Sequence, residues 1–360
     1  MMFSFVIPFL LVLCVCGEET GITKEFVLKN NDFGIRLYKA LSKEAKGNLV
    51  FSSHTTRLIL ALVSLGASGQ TANQLKSIKT ASRVYLAEGL AVDPKFSKIA
   101  TEYFNSGIEN VDFKSSKKTA DYINSWVEER TNNKIKNLID GKRLNEHTRL
   151  ILVNALYFEG KWKNSFSVKD TKVADFFVSK HESVKIPMME TTEHILVFRN
   201  DEMKVTGLML PYENPKVMFC MFLPDEFDGL PQVEEKAEEL WKVRNFTKQY
   251  IKLYLPKFRL ESTLDMIPAL KDIGIENLFS KTDLTGITRE PVLVSSVNQK
   301  VYVEVNEHGT GANSGTAGDG EKGVLPKPNE SVMVLKADHA FGFTILYEGV
   351  SLIVGRFAHL

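Results

Sequence analysis

Histidine is the side chain best suited to acid–base catalysis and metal binding, because its charge changes near neutral pH. The chain has seven histidines. They are scattered along the sequence, and none shows the spacing of a zinc site or of a catalytic triad. We therefore predict no catalytic residue and no metal site, and we interpret the histidines as surface or hydrogen-bonded polar residues, including His54, His147, His181 and His339.

The three cysteines are the other candidate nucleophiles. Cys14 and Cys16 lie in an apolar N-terminal segment, which leaves Cys220 in the mature chain. Cys220 stands in the apolar run 217–223, which is typical of a buried strand, so we predict an inert thiol rather than a nucleophile. With one cysteine, the mature chain forms no internal disulfide, and its stability must come from packing.

The segment 309–328, GTGANSGTAGDGEKGVLPKP, is rich in glycine and almost free of bulky side chains. Its first glycines are faintly similar to a dinucleotide-binding loop, but no helical pattern follows, so the helix N-terminus that would bind a phosphate is missing. We predict no cofactor. This composition indicates an exposed loop, and loops of this length in compact domains are usually functional or disordered.

The composition is that of an ordinary globular protein, with 360 residues, 44% hydrophobic and 25% charged, and a net charge of +1. A chain of this length can bury a large core. The basic residues are dispersed, so we expect neither a nucleic acid nor an anionic membrane surface as a partner.

Residues 1–17, MMFSFVIPFLLVLCVCG, form an apolar segment that ends in small residues and precedes two glutamates. A membrane anchor is the alternative interpretation, but it needs roughly 20 apolar residues. We therefore predict a signal peptide and a secreted, extracellular protein. In a secreted chain, the sequons that begin at Asn245 and Asn329 are predicted glycosylation sites.

Helical and strand periodicities alternate irregularly along the rest of the chain. Residues 119–129 place apolar side chains on one helical face, and residues 251–255 alternate as a strand. The segments 150–158 and 292–305 are long enough for strands of a large sheet. This mixture predicts an α+β fold. No central linker interrupts the sequence, so we predict one domain over 18–360.

A set of motifs spread over essentially the whole mature chain occurs in an order that chance does not explain. They are NLVFS at 48–52, SLGASGQT at 64–71, INSWVEE at 123–129, TNNKI at 131–135, LVNALYFEGKW at 152–162, LPKF at 255–258, GI at 286–287 and EVNEHGT at 304–310. Together they resemble the serpin family, and its arthropod members in particular.

The resemblance implies a serpin fold, with a large central β-sheet, two smaller sheets, surrounding helices and an exposed reactive-centre loop, here at about 307–335. Serpins hold no catalytic group. A serine protease cuts the loop and forms an acyl-enzyme, and the freed loop inserts as a new strand of the large sheet, which deforms the protease. The resemblance therefore implies a monomeric inhibitor of a serine-type endopeptidase, not an enzyme.

The hinge of the loop, by resemblance, comprises Glu307, Gly309, Thr310, Gly311, Ala312 and Thr316. Residues of an inserted strand point alternately into the core and out to solvent. If Thr310 points inward, alternate residues up to position 320 do so too, and Asp319 and Glu321 point outward. No charge is then buried, which favours insertion.

The composition of the hinge favours the opposite conclusion. Inhibitory members of the family have a run of alanines, which glycines and polar residues interrupt here. Each glycine weakens an inserted strand by roughly 0.5–1 kcal/mol relative to alanine. Two functions therefore remain open: a protease inhibitor, and a non-inhibitory serpin that acts as a carrier, storage or interaction protein.

The family's usual spacing places the reactive bond between Lys322 and Gly323, which predicts a secreted, trypsin-like protease as the partner. A proline directly after the cleaved bond generally blocks serine proteases, which argues against the bonds after Leu325 and Lys327. Cleavage after Val324 is the alternative, and it would indicate an elastase-like protease.

The sequence departs from the family in two places. Residues 77–82 lead from a helix end straight into a strand, so an intervening helix is missing through a natural deletion, a splice variant or an incomplete gene model. That helix binds heparin in some relatives, so glycosaminoglycan activation is not carried over. In the sheet-opening region, Thr55, Asn154 and Trp162 fit the family, whereas Gln299 stands where a histidine is common. Its amide can still hydrogen-bond.

Overall fold

The computed structural model describes residues 23–65, 78–104, 107–240, 245–280, 284, 286–290, 292–311 and 331–358. The predicted signal peptide, 1–17, and the predicted reactive bond at 322–323 lie outside the described residues. In the part of the chain that the structure describes, no helix is both long enough and apolar enough to cross a membrane.

One of the helices confirms the predicted helical periodicity of residues 119–129. The described residues form eight α-helices: α1 (Lys24–Glu44), α2 (Ser53–Leu65), α3 (Pro94–Phe104), α4 (Ser116–Arg130), α5 (Leu230–Glu235), α6 (Ala237–Leu240), α7 (Ile267–Asp272) and α8 (Asn277–Ser280). In α4, the buried Ala120, Ile123 and Val127 recur at intervals of three and four residues, which places them on one stripe of the helix.

The strands, together with these helices, confirm the predicted α+β class. Within the described ranges they are β1 (Leu49–Phe51), β2 (Ile78–Ala87), β3 (Gly107–Val111), β4 (Leu150–Phe158), β5 (Gly160–Lys161), β6 (Lys172–Ser179), β7 (Glu182–Asn200), β8 (Val205–Pro211), β9 (Val217–Pro224), β10 (Thr247–Pro256), β11 (Phe258–Asp265), β12 (Val294–Asn306), β13 (Gly309–Thr310), β14 (Met333–Lys336), β15 (Phe341–Tyr347) and β16 (Val350–Phe357).

The strands form two sheets. The larger, of nine strands, has the order β1-β16-β15-β9-β8-β7-β10-β14, with β6 paired to β7. Strand β7 is 19 residues long and pairs with β6, β8 and β10. The two smaller sheets expected from the resemblance are therefore joined through this strand into one sheet of nine strands. The other sheet, of seven strands, has the order β3-β2-β4-β12-β13-β5, with β11 paired to β12.

The described residues divide into two compact units. The first takes its residues from Met1–Lys29, His54–Tyr157 and Thr263–Lys300, and the second from Asn30–Ser53, Phe158–Ser262 and Val301–Leu360. The prediction of one domain over 18–360 stays a prediction.

Each unit has a strand that is buried along its whole length. Strand β4, of which residues 150–157 lie in the first unit, and strand β16 of the second unit are examples. A strand covered on both faces has a continuous apolar sequence, which explains why the run 150–158 could be predicted. Strand β10 alternates as predicted, because Ile251, Leu253 and Leu255 are buried while Lys252 and Tyr254 are partly exposed.

Candidate functional site

The hinge of the predicted loop begins as a strand of the seven-stranded sheet. After β12 the chain turns and returns as β13, which pairs antiparallel with both β12 and β5. Thr310 lies opposite Val305 on one side and Gly160 on the other. The N–H of Gly311 then donates to the carbonyl of Glu304 at 2.6 Å. The first hinge residues after the turn are therefore already seated between β12 and β5.

Gly309 is required by the close approach of β13 to β5. Its φ angle is 154°, and a Cβ atom at this position would lie 2.0 Å from the carbonyl oxygen of Gly160 and 2.7 Å from the Cα of Lys161. Any other residue would force the backbone to move.

Thr310 has no exposed surface. Its hydroxyl lies 2.7 Å from the hydroxyl of Tyr212, so the two groups share a hydrogen bond. The ring of Trp162 stacks on Tyr212 with 4.6 Å between centroids, and its Nε1 donates to the carbonyl of Asn306 at 2.9 Å. Trp162, which the sequence assigned to the sheet-opening region, thus lies with the hinge, and Thr310 points inward.

Glu307 anchors the turn between β12 and β13. Its side chain is 5% exposed and accepts hydrogen bonds from Lys257 Nζ and Thr171 Oγ1, each at 3.0 Å. Burial raises the pKa of this carboxyl, but the hydrogen bonds from its own backbone, Lys257 and Thr171 outweigh burial and hold the pKa below its ordinary value. The carboxylate is therefore charged at pH 7 and fixes the start of the hinge.

We predict that Glu307→Gln lowers the free energy of unfolding by about 1–3 kcal/mol at pH 7, because a buried hydrogen-bonded charge is lost and Lys257 loses its partner. Urea unfolding measures this change. The matched control, Glu213→Gln, removes an exposed carboxylate of the same unit and should change the value by less than about 0.5 kcal/mol. Equal stability of Glu307→Gln and the control would contradict the anchoring role.

The sheet-opening residues of the first unit form one buried hydrogen-bond network. Thr55 Oγ1 donates to Asn154 Oδ1 at 2.8 Å, and Asn154 Nδ2 donates to Ser82 Oγ at 2.8 Å. Gln299 Nε2 donates to Asn154 Oδ1 at 2.9 Å and to Thr56 Oγ1 at 2.8 Å. The network links α2, β2, β4 and β12. The amide of Gln299 therefore supplies the donors that join β12 to the other elements.

His54, which precedes Thr55, corrects the prediction that the histidines are surface or hydrogen-bonded residues. It is 3% exposed, its ring lies edge-on to Phe26, and among the described residues its Nε2 has no hydrogen-bond partner. Burial, helped by the nearby Arg57 cation, lowers the pKa of His54 to about 4. The ring is therefore neutral at pH 7, and it lies next to Thr55 of the network in the sequence.

We predict that His54 makes the protein less stable in acid. The pKa of an unfolded histidine is about 6.5, above the folded value of about 4. The unfolded chain therefore binds more protons in this range, and the free energy of unfolding falls as the pH decreases from about 6.5 to about 4. Urea unfolding at pH 7 and pH 4.5 should show a smaller loss for His54→Leu than for the wild type. The exposed control His147→Leu should behave like the wild type, and equal losses in all three proteins would contradict this role.

The remaining cysteine and the other histidines that the sequence singled out lie in different environments. Cys220 is buried in β9, and burial raises the pKa of its thiol to about 12. His339 bonds Asp338 and the carbonyl of Pro224, while His147 and His181 are exposed. No cluster of three potential metal ligands occurs in the described part of the chain.

Several predicted site residues have no structural description. Ala312 and Thr316 of the hinge, the reactive-bond residues Lys322 and Gly323 with the alternative Val324, and the sequon residue Asn329 lie outside the described residues. The other sequon residue, Asn245, is described and is exposed.

Three residues of the hinge site escaped the sequence interpretation: Thr171, Lys257 and Tyr212. Lys257 is 50 residues from Glu307 in the sequence, and no spacing rule connects two residues so far apart. A buried carboxylate requires a partner of opposite charge or a hydrogen-bond donor. The burial of Glu307 therefore indicates that such a partner exists, but not which residue it is.

Comparison with known proteins gives a match over almost the whole chain. The family model described as Serpin (serine protease inhibitor) matches residues 28–78 and 76–360. The two matched parts meet at 76–78, where the sequence places the missing helix.

Relatives of known sequence and structure are of similar length. Alaserpin of Manduca sexta is 28% identical over an alignment of length 390 that covers 96% of this chain and 98% of the relative. Antichymotrypsin-2 of Bombyx mori is 29% identical and covers 92% and 98%. The crystal structure of Serpin48 from the insect Tenebrio molitor has a TM-score of 0.84 at 30% identity and covers 94% of this chain and 99% of that one.

Proposed function

Since this chain belongs to the serpin family, we propose that it is a suicide-substrate inhibitor of a secreted serine endopeptidase, which cleaves the loop at about 307–335. The observation that carries the proposal is the seated hinge. Strand β13 already pairs with β12 and β5, and Thr310 is fully buried. Insertion can therefore extend an existing strand. Part of the conformational entropy that the loop loses on insertion is then already lost before cleavage.

In the proposed reaction the protease supplies the catalysis. Its serine hydroxyl attacks the carbonyl carbon of Lys322, the bond to Gly323 breaks, and the Gly323 nitrogen takes a proton and leaves as a new N-terminal amine. Lys322 stays bound to the protease as an ester. The freed segment 311–322 extends β13 along β12 before water hydrolyses the ester. The contribution of this chain is positioning, because the turn at Glu307 and Gly309 fixes where the new strand begins.

The proposed target is a trypsin-like protease, because these enzymes bind a lysine side chain in an acidic specificity pocket. Lys322 would supply that side chain. Cleavage after Val324 is the alternative and would point to an elastase-like enzyme.

We also propose that the protein is secreted and glycosylated. The apolar segment 1–17 supports a signal peptide, and Asn245 is exposed and therefore accessible to a glycan. Expression of the full chain in insect cells should place the protein in the medium, with a gel mobility that N-glycosidase increases. Retention of all protein inside the cells would contradict secretion.

A non-inhibitory serpin, acting as a carrier, storage or interaction protein, is the second candidate, and the glycine-rich hinge favours it. Gly311, Gly315, Gly318 and Gly320 together weaken an inserted strand by about 2–4 kcal/mol relative to alanine. If this cost falls on the insertion barrier, insertion slows by about 30- to 1,000-fold. Water would then hydrolyse the ester faster than the loop inserts.

Incubation with trypsin, followed by a denaturing gel and mass spectrometry, separates the two candidates. A denaturant-resistant band heavier than either protein, with cleavage after Lys322, is expected for the inhibitor. Clean cleavage without this band would favour the non-inhibitory serpin. Resistance of the whole loop to trypsin would contradict the proposed reactive bond.

A further inference from the structure

One face of the nine-stranded sheet carries lysines beside the end of the loop. In the sheet, Lys252 of β10 lies opposite Val334 of β14, and Tyr254 lies opposite Glu190 of β7 and Lys336 of β14. Directly paired residues share a face, and alternate residues of a strand do so too. We call this surface the lysine face, and it comprises Glu190, Lys248, Lys252, Tyr254, Val334 and Lys336. The opposite face of the same strands is core, with Ile251, Leu253 and Leu335 buried.

Two ammonium groups of the lysine face converge on one aromatic ring. The Nζ atoms of Lys252 and Lys336 lie 5.4 and 5.6 Å from the ring centroid of Tyr254, within the range of a cation–π contact. Both cations lie near the same ring, and a bound anion would be attracted to each of them.

The lysine face carries more positive than negative charge. Lys252 forms an ion pair with Glu190 at 2.7 Å. Lys336 and Lys248 are exposed lysines on the same face, and Lys248 also interacts electrostatically with Glu193. Three ammonium groups therefore stand near two carboxylates, Glu190 and Glu193, and the remaining positive charge is complementary to an acidic partner.

An apolar side chain stands among these charges. Val334 is 54% exposed and lies directly opposite Lys252, and Val332, just before β14, is 45% exposed. A protein interface typically combines exposed apolar and aromatic side chains with a charged rim, whereas an anionic polysaccharide needs charge alone. The composition of the face therefore favours a protein partner.

We propose that the lysine face is a docking site for an acidic surface of the protease that cleaves the loop, an inference that rests on the proposed inhibitory function. Ten residues lie between Lys322 and Met333, the first residue of β14. They reach no further than about 40 Å, which is comparable to the roughly 45 Å diameter of a protease domain of about 230 residues. A protease bound at Lys322 is therefore held within reach of β14, where the lysine face selects it by charge.

Two trypsins of the same specificity and opposite surface charge, anionic and cationic, provide the probes. The variant is Lys248→Glu with Lys336→Glu, which leaves the Lys252–Glu190 ion pair intact. The control, Lys29→Glu with Lys98→Glu, makes the same change in net charge at two exposed helical lysines. The measured quantity is the second-order rate constant for loop consumption, counting complex and cleaved chain together, at low and high salt.

Anionic trypsin should consume the loop of the variant about five- to tenfold more slowly than that of the wild type at low salt, with a weaker salt dependence. The control should stay within about twofold of the wild type, and cationic trypsin should not be slowed by the variant. An unchanged rate with anionic trypsin, or an equal loss in the control, would overturn the proposal. Loss of binding to immobilised heparin at an unchanged protease rate would assign the face to a polysaccharide and also overturn it.

This measurement separates failure of docking from failure of inhibition. Because cleaved chain is counted with complex, a protein that forms no stable complex still reports on docking. Absence of complex contradicts the inhibitory function alone, and an unchanged rate contradicts the docking site alone.

Discussion

Replacement of Thr310 by arginine should turn the inhibitor into a substrate. Thr310 has no exposed surface, and its hydroxyl bonds Tyr212, on which Trp162 stacks. A guanidinium at this position would be removed from water, at a cost of several kcal/mol. We therefore expect the hinge of the variant to lie outside the sheet before cleavage. If about 3–4 kcal/mol of the cost of burying the guanidinium raises the insertion barrier, insertion slows by about 100- to 1,000-fold. Trypsin should then release cleaved chain and keep its activity.

Two variants isolate the effect of position. Asn313→Arg introduces the same side chain at a residue that the alternation from Thr310 places on the solvent side, so the complex should still form. Thr310→Val removes only the hydrogen bond and should have a much smaller effect. Circular dichroism would verify the fold of each variant. A yield of complex from Thr310→Arg equal to that of the wild type would contradict the requirement for an uncharged, buried residue at position 310 during insertion.

Replacement of Lys322 by alanine should remove cleavage at the proposed reactive bond. The lysine charge is the feature that a trypsin-like specificity pocket recognises. Loss of a charge-assisted contact of about 4 kcal/mol lowers the cleavage rate by about 1,000-fold. Mass spectrometry of the digested protein should then find the bond between Lys322 and Gly323 intact.

Lys327 provides the matched control for this experiment. Lys327→Ala removes an equal charge from the same loop, but Lys327 precedes a proline and should not be cleaved, so the rate should stay at the wild-type value. Continued cleavage after residue 322 in Lys322→Ala would contradict the assignment. Faster cleavage by elastase than by trypsin in the wild type, after Val324, would support the alternative bond.

The helices and strands that could be predicted are those in which the spacing of apolar residues in the sequence matches the pattern of buried residues in the fold. Strand β4 is buried on both faces and has a continuous apolar sequence, β10 alternates because one of its faces is core, and α4 buries one stripe. The 19-residue β7 was not predicted. Its burial pattern is irregular, because it belongs to both halves of a large sheet and its covered side changes along its length.

The hinge site could be predicted in part. Glu307, Gly309 and Thr310 lie within one contiguous motif, so the sequence alone brings them together. Their partners are remote in sequence, and a pair such as Glu307 and Lys257 depends on how β11 and β12 are placed by the whole fold. The burial of His54 could not be predicted either, because the adjacent residues in the sequence, Ser53 and Thr55, are polar and give no sign of a buried position.

Insertion of the cleaved loop as a strand is tested most directly by comparing the unfolding temperatures of the intact protein and of the protein cut within 312–330. Any protease that cuts in this range is suitable, so the result does not depend on the natural target. If the loop extends β13 along β12, new backbone hydrogen bonds form on both sides of it, and the unfolding midpoint should rise by about 10 °C or more. An unchanged midpoint would show that the cut loop stays outside the sheet, and it would contradict inhibition by insertion.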